Sequence, residues 1–166
     1  MHKIRVFDIC LIAVLAAITL ALEYLLLGIP NVRLTVLLLV LYSKKLGILK
    51  TTLIIIIYSL VDCLINGGIH YVFYPVMLLG WLIIPLSLNT IFKKIEEPLY
   101  LGLLGVLFSF IYCWMYILPT ILIMDMKFIP YLLSDIPFEI ILATSSFLSI
   151  LWLYKPLSSL FDKILK

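Results

Sequence analysis

Four carboxylates that interrupt long apolar stretches are the strongest chemical signal in this sequence. They are Glu23, Asp62, Asp135 and Glu139. An ionisable group at the middle of a bilayer costs about 2.5–3.5 kcal/mol on insertion scales, so such groups face protein or water and are usually functional. Their chemistry is to hold a cation or a hydrogen-bond donor. Glu139, a turn deeper than Asp135, is the first candidate for ligand binding.

Helical spacing places polar and aromatic side chains on shared faces of the predicted helices. Tyr112 and Tyr116 share a face of one helix, and Tyr74 and Trp81 share a face of the preceding one. Such stripes, converging from several helices, predict a small-molecule site with stacking surfaces and a few orienting groups. The predicted ligand-binding residues are Arg33, Asp62, Tyr74, Trp81, Tyr112, Tyr116, Asp135 and Glu139.

Structural alternatives stay open for several of these residues. Tyr74 suits an interfacial anchor, because tyrosine is enriched where a helix leaves the bilayer. Glu23 and Asp62 could reach lipid headgroups or pair with Arg33. Asp135 could be an acid in the first turn of a helix, where the macrodipole favours negative charge.

A second pattern lies on the first predicted helix, where Ala13, Ala17 and Ala21 repeat every four residues. Small side chains at this spacing let another helix approach closely. The partner could be another polypeptide or a helix of the same chain. Glu23 points roughly 120° away from this stripe on an ideal helix.

No residue pattern predicts catalysis or metal binding. The acids are spread over several helices without a nucleophile–base pair, so we expect no enzyme activity. The two histidines lie far apart and no zinc-ligand spacing is visible, so we expect neither a metal nor another cofactor.

The composition sets the class of protein. Of 166 residues, 65% are hydrophobic and only 13% are charged, with a net charge of +3. Soluble domains carry about 25% charged residues. A soluble enzyme and a disordered chain are therefore excluded, and the small basic excess argues against a nucleic-acid-binding module. An all-α integral membrane protein with a single transmembrane domain over residues 1–166 is predicted.

The apolar runs predict a bundle of six transmembrane helices with a short second helix, in which Pro30, the 43–47 segment and the 66–68 segment provide breaks. The predicted helices cover residues 9–29, 34–42, 48–65, 71–92, 99–124 and 134–154, followed by an amphipathic tail over 155–166.

The distribution of lysine and arginine predicts the orientation. With six crossings, ten of the twelve cations lie on the same side as the N-terminus, and Arg33 and Lys127 are the exceptions. The positive-inside rule then places both termini in the cytoplasm of a cell membrane. The ten cations are Lys3, Arg5, Lys44, Lys45, Lys50, Lys93, Lys94, Lys155, Lys163 and Lys166.

In the order and spacing of four motifs, the chain resembles the substrate-binding S components of energy-coupling factor (ECF) vitamin transporters. The motifs are AVLAA at 13–17, IPNVRL at 29–34 leading to LYSKKLG at 41–47, IPFEII at 136–141, and LYKPL at 153–157.

The resemblance implies a six-helix bundle that captures a vitamin or related small molecule near the outer face. It implies docking through Ala13 and Ala17 onto a transmembrane coupling subunit served by two cytoplasmic ATPases, with residues 28–33 as a lid. The chain departs from relatives at 142–145, where they often carry His or Asn, so no particular vitamin follows. The acids and rings favour a cationic or amine-bearing aromatic ligand, whereas Arg33 could hold an anionic group.

A scaffold function is the alternative. The rod-shape-determining membrane protein of the cell-wall elongation complex has a similar length and hydropathy and a basic turn after its second helix. Such a protein needs faces for partners but no ligand pocket. The alanine stripe and the converging aromatic faces favour the transporter subunit.

Overall fold

The structure is a computed structural model that describes residues 5–29 and 31–165. Three residues used in the predictions, Lys3, Pro30 and Lys166, lie outside the described residues. Within the described ranges the chain forms helices and no β-strand. The helices are α1 (Val6–Leu25), α2 (Thr35–Ile65), α3 (Phe73–Asn89), α4 (Pro98–Met124) and α5 (Phe128–Ile164).

Four of these helices, α1, α2, α4 and α5, are long and apolar enough to cross a membrane. The remaining one, α3, is apolar but has 17 residues. A helix satisfies its own backbone hydrogen bonds, which the interior of a bilayer requires. The chain therefore has the architecture of an all-α, multi-pass membrane protein.

The prediction of six helices is wrong, because the expected basic turn at 43–47 is almost entirely helical. Only Gly47 departs from helical geometry, with φ 78° and ψ −178°. This conformation is essentially reserved for glycine, which has no Cβ to clash. One element, α2, thus takes the place of two predicted helices. We call residues 35–46 its first arm and residues 48–65 its second arm.

The two arms of α2 run in opposite directions, as their contacts with α1 show. Lys50 pairs with Asp8 near the start of α1, and Tyr58 hydrogen-bonds Glu23 near its end. The second arm therefore runs parallel to α1. Arg33, just before the first arm, also contacts Glu23, so the first arm begins at the same end and runs back. We call this the Glu23 end of the bundle.

The first arm forms the centre of the bundle, since every residue from Thr35 to Ser43 is buried. A helix that is apolar on all sides is buried among other helices or in lipid, and here the neighbouring helices cover the first arm. The Tyr42 hydroxyl lies 3.4 Å from the Thr19 hydroxyl, which itself donates to the Leu15 carbonyl. These contacts attach α1 to the first arm.

The opposite end of the bundle is organised by Lys44. Its ammonium donates to the carbonyl oxygens of Phe92 at 2.8 Å, Lys93 at 3.3 Å and Leu88 at 3.5 Å. These carbonyls lie at or just after the C-terminus of α3, where the macrodipole favours a cation. We call this the Lys44 end.

Close backbone approach joins α4 to α5. A Cβ added at Gly105 would lie 2.5 Å from the terminal methyl of Ile150, so the glycine leaves room for that side chain. One turn on, the Ser109 and Ser146 hydroxyls are 2.9 Å apart and buried. Small and hydroxyl-bearing residues are typical of such interfaces.

The last helix differs from its prediction at both ends. It begins at Phe128 instead of residue 134, because Pro130 is tolerated in the first turn of a helix. Asp135 therefore lies two turns inside α5, and the alternative of a first-turn acid is wrong. The helix also continues through Pro156 to Ile164, so the predicted separate tail belongs to it.

Candidate functional site

A buried carboxylate at the end of α1 is the centre of the candidate site. Glu23 belongs to the face of α1 that packs on the bundle and is 9% exposed. Arg33 donates through Nη1 to Oε1 of Glu23, and the Tyr58 hydroxyl donates to Oε2. Both carboxylate oxygens therefore have a partner. We call these three residues the Glu23 cluster.

The sequence positions the Glu23 cluster through helix periodicity and a short connection. Ile12, Leu15, Thr19 and Glu23 recur every three or four residues and form one buried face of α1. The chain then returns so that Arg33 lies just before α2 and reaches back across the connection. The Ser145 hydroxyl of α5 donates to the Arg33 carbonyl at 3.3 Å and fixes the backbone there.

The pKa of Arg33 is raised. Burial acts against the charged guanidinium, but the nearby negative charges, chiefly that of Glu23, outweigh it. The guanidinium therefore stays protonated beside Glu23.

Asp62 lies beside the Glu23 cluster on the second arm of α2. The Tyr24 hydroxyl donates to its Oδ1 at 3.3 Å, and the Asn66 amide donates to the same oxygen at 2.9 Å. Among the described residues, no lysine, arginine or histidine nitrogen lies within 4.0 Å of this carboxylate. Asp62 is thus held by neutral donors only.

A cavity of about 280 Å³ opens between the α1–α2 connection and the second arm of α2. Four residues of the connection or the end of α1 form its apolar wall: Leu26, Leu27, Ile29 and Val32. Its polar lining consists of Glu23, Tyr24, Asn31, Arg33, Asp62 and Asn66.

Three of the predicted aromatic residues pack against one another between α3 and α4. The Trp81 and Tyr112 rings have centroids 4.0 Å apart and an interplanar angle of 22°. Tyr112 and Tyr116 follow at 5.1 Å, and Phe73 stacks on Tyr116 at 6.0 Å. We call these four side chains the aromatic ladder. It does not line the cavity.

Gly80 makes this stacking possible. A Cβ at Gly80 would lie 2.8 Å from Cδ2 of Tyr112, so only glycine allows the ring to approach α3 so closely. Tyr74 is half-buried and packs against the core from the same helix. It is not part of the ladder or of the cavity lining.

Glu139 and Asp135 lie apart from the cavity, on α5. Glu139 is 3% exposed, and its Oε2 accepts a hydrogen bond of 3.3 Å from the Trp114 indole of α4. Its Oε1 is buried and has no hydrogen-bond partner within the described ranges. Asp135 is half-buried one turn away. Neither acid lines the cavity, and their part in ligand binding stays a prediction.

The alanine stripe faces away from the bundle. Ala13, Ala17 and Ala21 are all exposed, whereas Leu15 and Ala16 on the opposite side are buried. Packing against a helix of the same chain, the structural alternative for this stripe, is therefore wrong. The expected separation between the stripe and Glu23 is confirmed.

Residue spacing did not find two polar residues of the cavity, Tyr24 and Asn31, although the resemblance placed Asn31 in the 28–33 lid. Tyr24 follows Glu23 directly and could have been noted as a donor near a buried acid. Asn31 has a positive φ of 55°, which its short polar side chain tolerates, and no periodic pattern indicates this. In the part of the chain that the structure describes, no three His, Cys, Asp or Glu residues are grouped to hold a metal ion.

Fold and site together define an all-helical protein, suited to a membrane, with a small polar cavity at one end. Comparison of the chain with protein-family models, with curated proteins and with solved structures finds no match.

Proposed function

We propose that this chain is the substrate-binding S component of an ECF-type importer. In this proposal it captures a vitamin or a related small molecule at the outer face and performs no catalysis itself. The observation that supports the proposal best is the cavity beside the α1–α2 connection, with charged residues in its lining. Concave sites with an apolar wall and a few convergent polar groups are typical of small-molecule binding.

The proposal places the Glu23 end outside and both termini in the cytoplasm. Lys45 pairs with Asp162, and Lys50 pairs with Asp8. Both ion pairs lie at the Lys44 end of the bundle, far from Glu23. This grouping of cations at the Lys44 end supports the orientation that the positive-inside rule favours. In the proposed topology the first arm of α2 corresponds to the short second helix of the family, and the second arm crosses the membrane.

The proposal assigns energy coupling to partner subunits. A transmembrane coupling subunit would dock on the alanine stripe of α1, where small exposed side chains permit close helix packing. Two cytoplasmic ATPases would then drive inward release of the ligand. Residues 28–33 would act as the lid, and Ile29, Asn31, Val32 and Arg33 do line the cavity.

Assembly is the direct test. The full chain is co-expressed with an ECF coupling subunit and its two ATPases, purified in mild detergent, and examined by native mass spectrometry. We expect a four-subunit complex and a small molecule retained by the chain. Retention of cell-wall synthesis proteins in place of the ATPases would contradict the proposal and favour the scaffold function.

A further inference from the structure

The charges that line the cavity do not balance. Glu23 and Asp62 contribute two carboxylates, whereas Arg33 contributes the single guanidinium among the described lining residues. The lining therefore has a net charge of −1. In a partly desolvated site, one unbalanced charge influences ligand selection strongly, because water screens it less than in bulk solution.

The hydrogen bonds show which carboxylate is unbalanced. Both oxygens of Glu23 are engaged, by Arg33 and by Tyr58. Asp62 receives only neutral donors, Tyr24 and Asn66, and both bind the same oxygen, Oδ1. Its second oxygen, Oδ2, has no donor among the described residues, so Asp62 can accept a bond from a ligand.

We propose that the cavity selects a small organic cation, an ammonium group with apolar substituents, and that Asp62 is its counter-ion. This inference rests on the proposed function, because it names the ligand class of the same site. Charge attraction to Asp62 favours any such cation, and an ammonium that keeps an N–H can also donate a charge-assisted hydrogen bond to Oδ2, which is stronger than a neutral one. An anion would instead meet two carboxylates and a guanidinium already bonded to Glu23.

The walls of the cavity limit the rest of the ligand. Leu26, Leu27, Ile29 and Val32 offer aliphatic surface, and the aromatic ladder is not in contact with the cavity space. A volume of about 280 Å³ is at the lower end for small-molecule sites. These features favour a compact ligand with alkyl groups around its positive charge over a large planar ring system.

Equilibrium dialysis of the full purified chain tests the proposal with probes that differ in charge. The cations are methylammonium, tetramethylammonium and choline. Dimethylbutanol serves as the uncharged carbon isostere of choline, and betaine adds a carboxylate to the same headgroup. We expect at least one cation to bind, and choline to bind about tenfold to a hundredfold more tightly than dimethylbutanol.

Matched variants assign the binding to Asp62. Asp62→Asn retains an oxygen that Tyr24 and Asn66 can bond but removes the charge, and should raise the Kd of the best cation about tenfold to a hundredfold. Asp125→Asn removes a carboxylate at the exposed end of α4 and should leave the Kd unchanged.

Several results would overturn the inference. They are absence of binding for all three cations, equal or tighter binding of dimethylbutanol or betaine, an unchanged Kd in Asp62→Asn, or an equal rise of the Kd in Asp125→Asn. None of these results would contradict assembly with the ATPases, which is tested separately. Conversely, cation binding without assembly would contradict the proposed function but still support Asp62 as the counter-ion.

Discussion

The hydroxyl of Tyr58 on the second arm of α2 donates a hydrogen bond to Oε2 of Glu23 on α1. Both residues are buried, and the same carboxylate also pairs with Arg33. A single acidic group thus connects α1, the α1–α2 connection and α2. Because a buried charge without partners is costly, each donor is expected to contribute measurably to stability.

Tyr58→Phe tests the first of these donors. The substitution preserves the ring and leaves Oε2 of Glu23 without its hydrogen bond. We expect the free energy of unfolding in detergent to fall by about 1–3 kcal/mol. Tyr71→Phe is the control, because Tyr71 is 83% exposed and should tolerate the loss of its hydroxyl. Equal effects of the two variants would contradict a specific contribution of the Tyr58–Glu23 bond.

The Arg33–Glu23 ion pair is suited to a double-mutant cycle. Arg33→Gln leaves a buried carboxylate without its cation, whereas the double variant with Glu23→Gln removes both charges. We expect Arg33→Gln to destabilise more than the double variant does, with a coupling energy of about 0.5–3 kcal/mol. Thermal and denaturant unfolding of the four proteins measures it.

The control for this cycle is Lys127→Gln, which removes an exposed cation just before α5. Its unfolding free energy should change by about 0.5 kcal/mol or less. Strictly additive effects of the Arg33 and Glu23 substitutions would show that the pair is not energetically coupled.

Gly47 provides a test of the reversal within α2. A Cβ there would meet no atom within 4 Å, so the cost of Gly47→Ala comes from its φ of 78° alone. We expect a loss of about 1–3 kcal/mol in the free energy of unfolding. Gly28→Ala is a matched control, since it also meets no atom and lacks a positive φ, and it should be nearly neutral. Equal stability of the two variants would mean that the backbone at Gly47 relaxes without cost.

The alanine stripe predicts a separation between assembly and ligand binding. Ala17→Trp should abolish formation of the complex with the coupling subunit, because the large ring prevents close helix approach. Cation binding in equilibrium dialysis should be unchanged. Leu118→Trp, on an exposed face of α4, is the control for adding a ring to the surface and should assemble normally.

Native mass spectrometry of the co-expressed subunits measures assembly in both variants. Loss of cation binding together with assembly in Ala17→Trp would mean that the substitution disrupts the bundle itself. Normal assembly of this variant would assign the coupling subunit to another face.

Much of the fold follows from sequence because hydrophobic runs report directly on helices in a membrane. The start of α4 at Pro98 and its end at Met124 agree with the predicted helix to within a residue. The 48–65 segment also ends where the asparagine and glycines at 66–68 predict a turn. Local signals of this kind depend on only a few neighbouring residues.

The 43–47 segment predicted a turn, and the chain does reverse there, but the sequence did not predict that residues 43–46 stay helical. A turn needs no loop when one glycine adopts a conformation closed to other residues. A basic segment such as 43–47 suggests exposure to solvent. Ser43 is nevertheless buried, and Lys44 donates a hydrogen bond to a carbonyl just after α3. These contacts depend on a helix distant in sequence, which periodicity does not report.

The candidate site was predictable in part. The alternative that Glu23 pairs with Arg33 is confirmed. It was predictable because both residues lie near one short connection. The bond between Tyr24 and Asp62 was not foreseen, because it depends on how α1 is rotated against the second arm of α2. Sequence spacing defines the faces of each helix but leaves open which faces meet.

The hydrogen bonds of Lys44 have a consequence for the charge that the Lys44 end of the bundle presents to its surroundings. Its ammonium has three carbonyl acceptors at the end of α3, while Lys45 and Lys50 are neutralised by Asp162 and Asp8. Oxygen atoms of the protein itself thus bind all three ammonium groups. Counting lysines along the chain overstates the positive charge that anionic groups outside the protein can encounter at this end of the bundle.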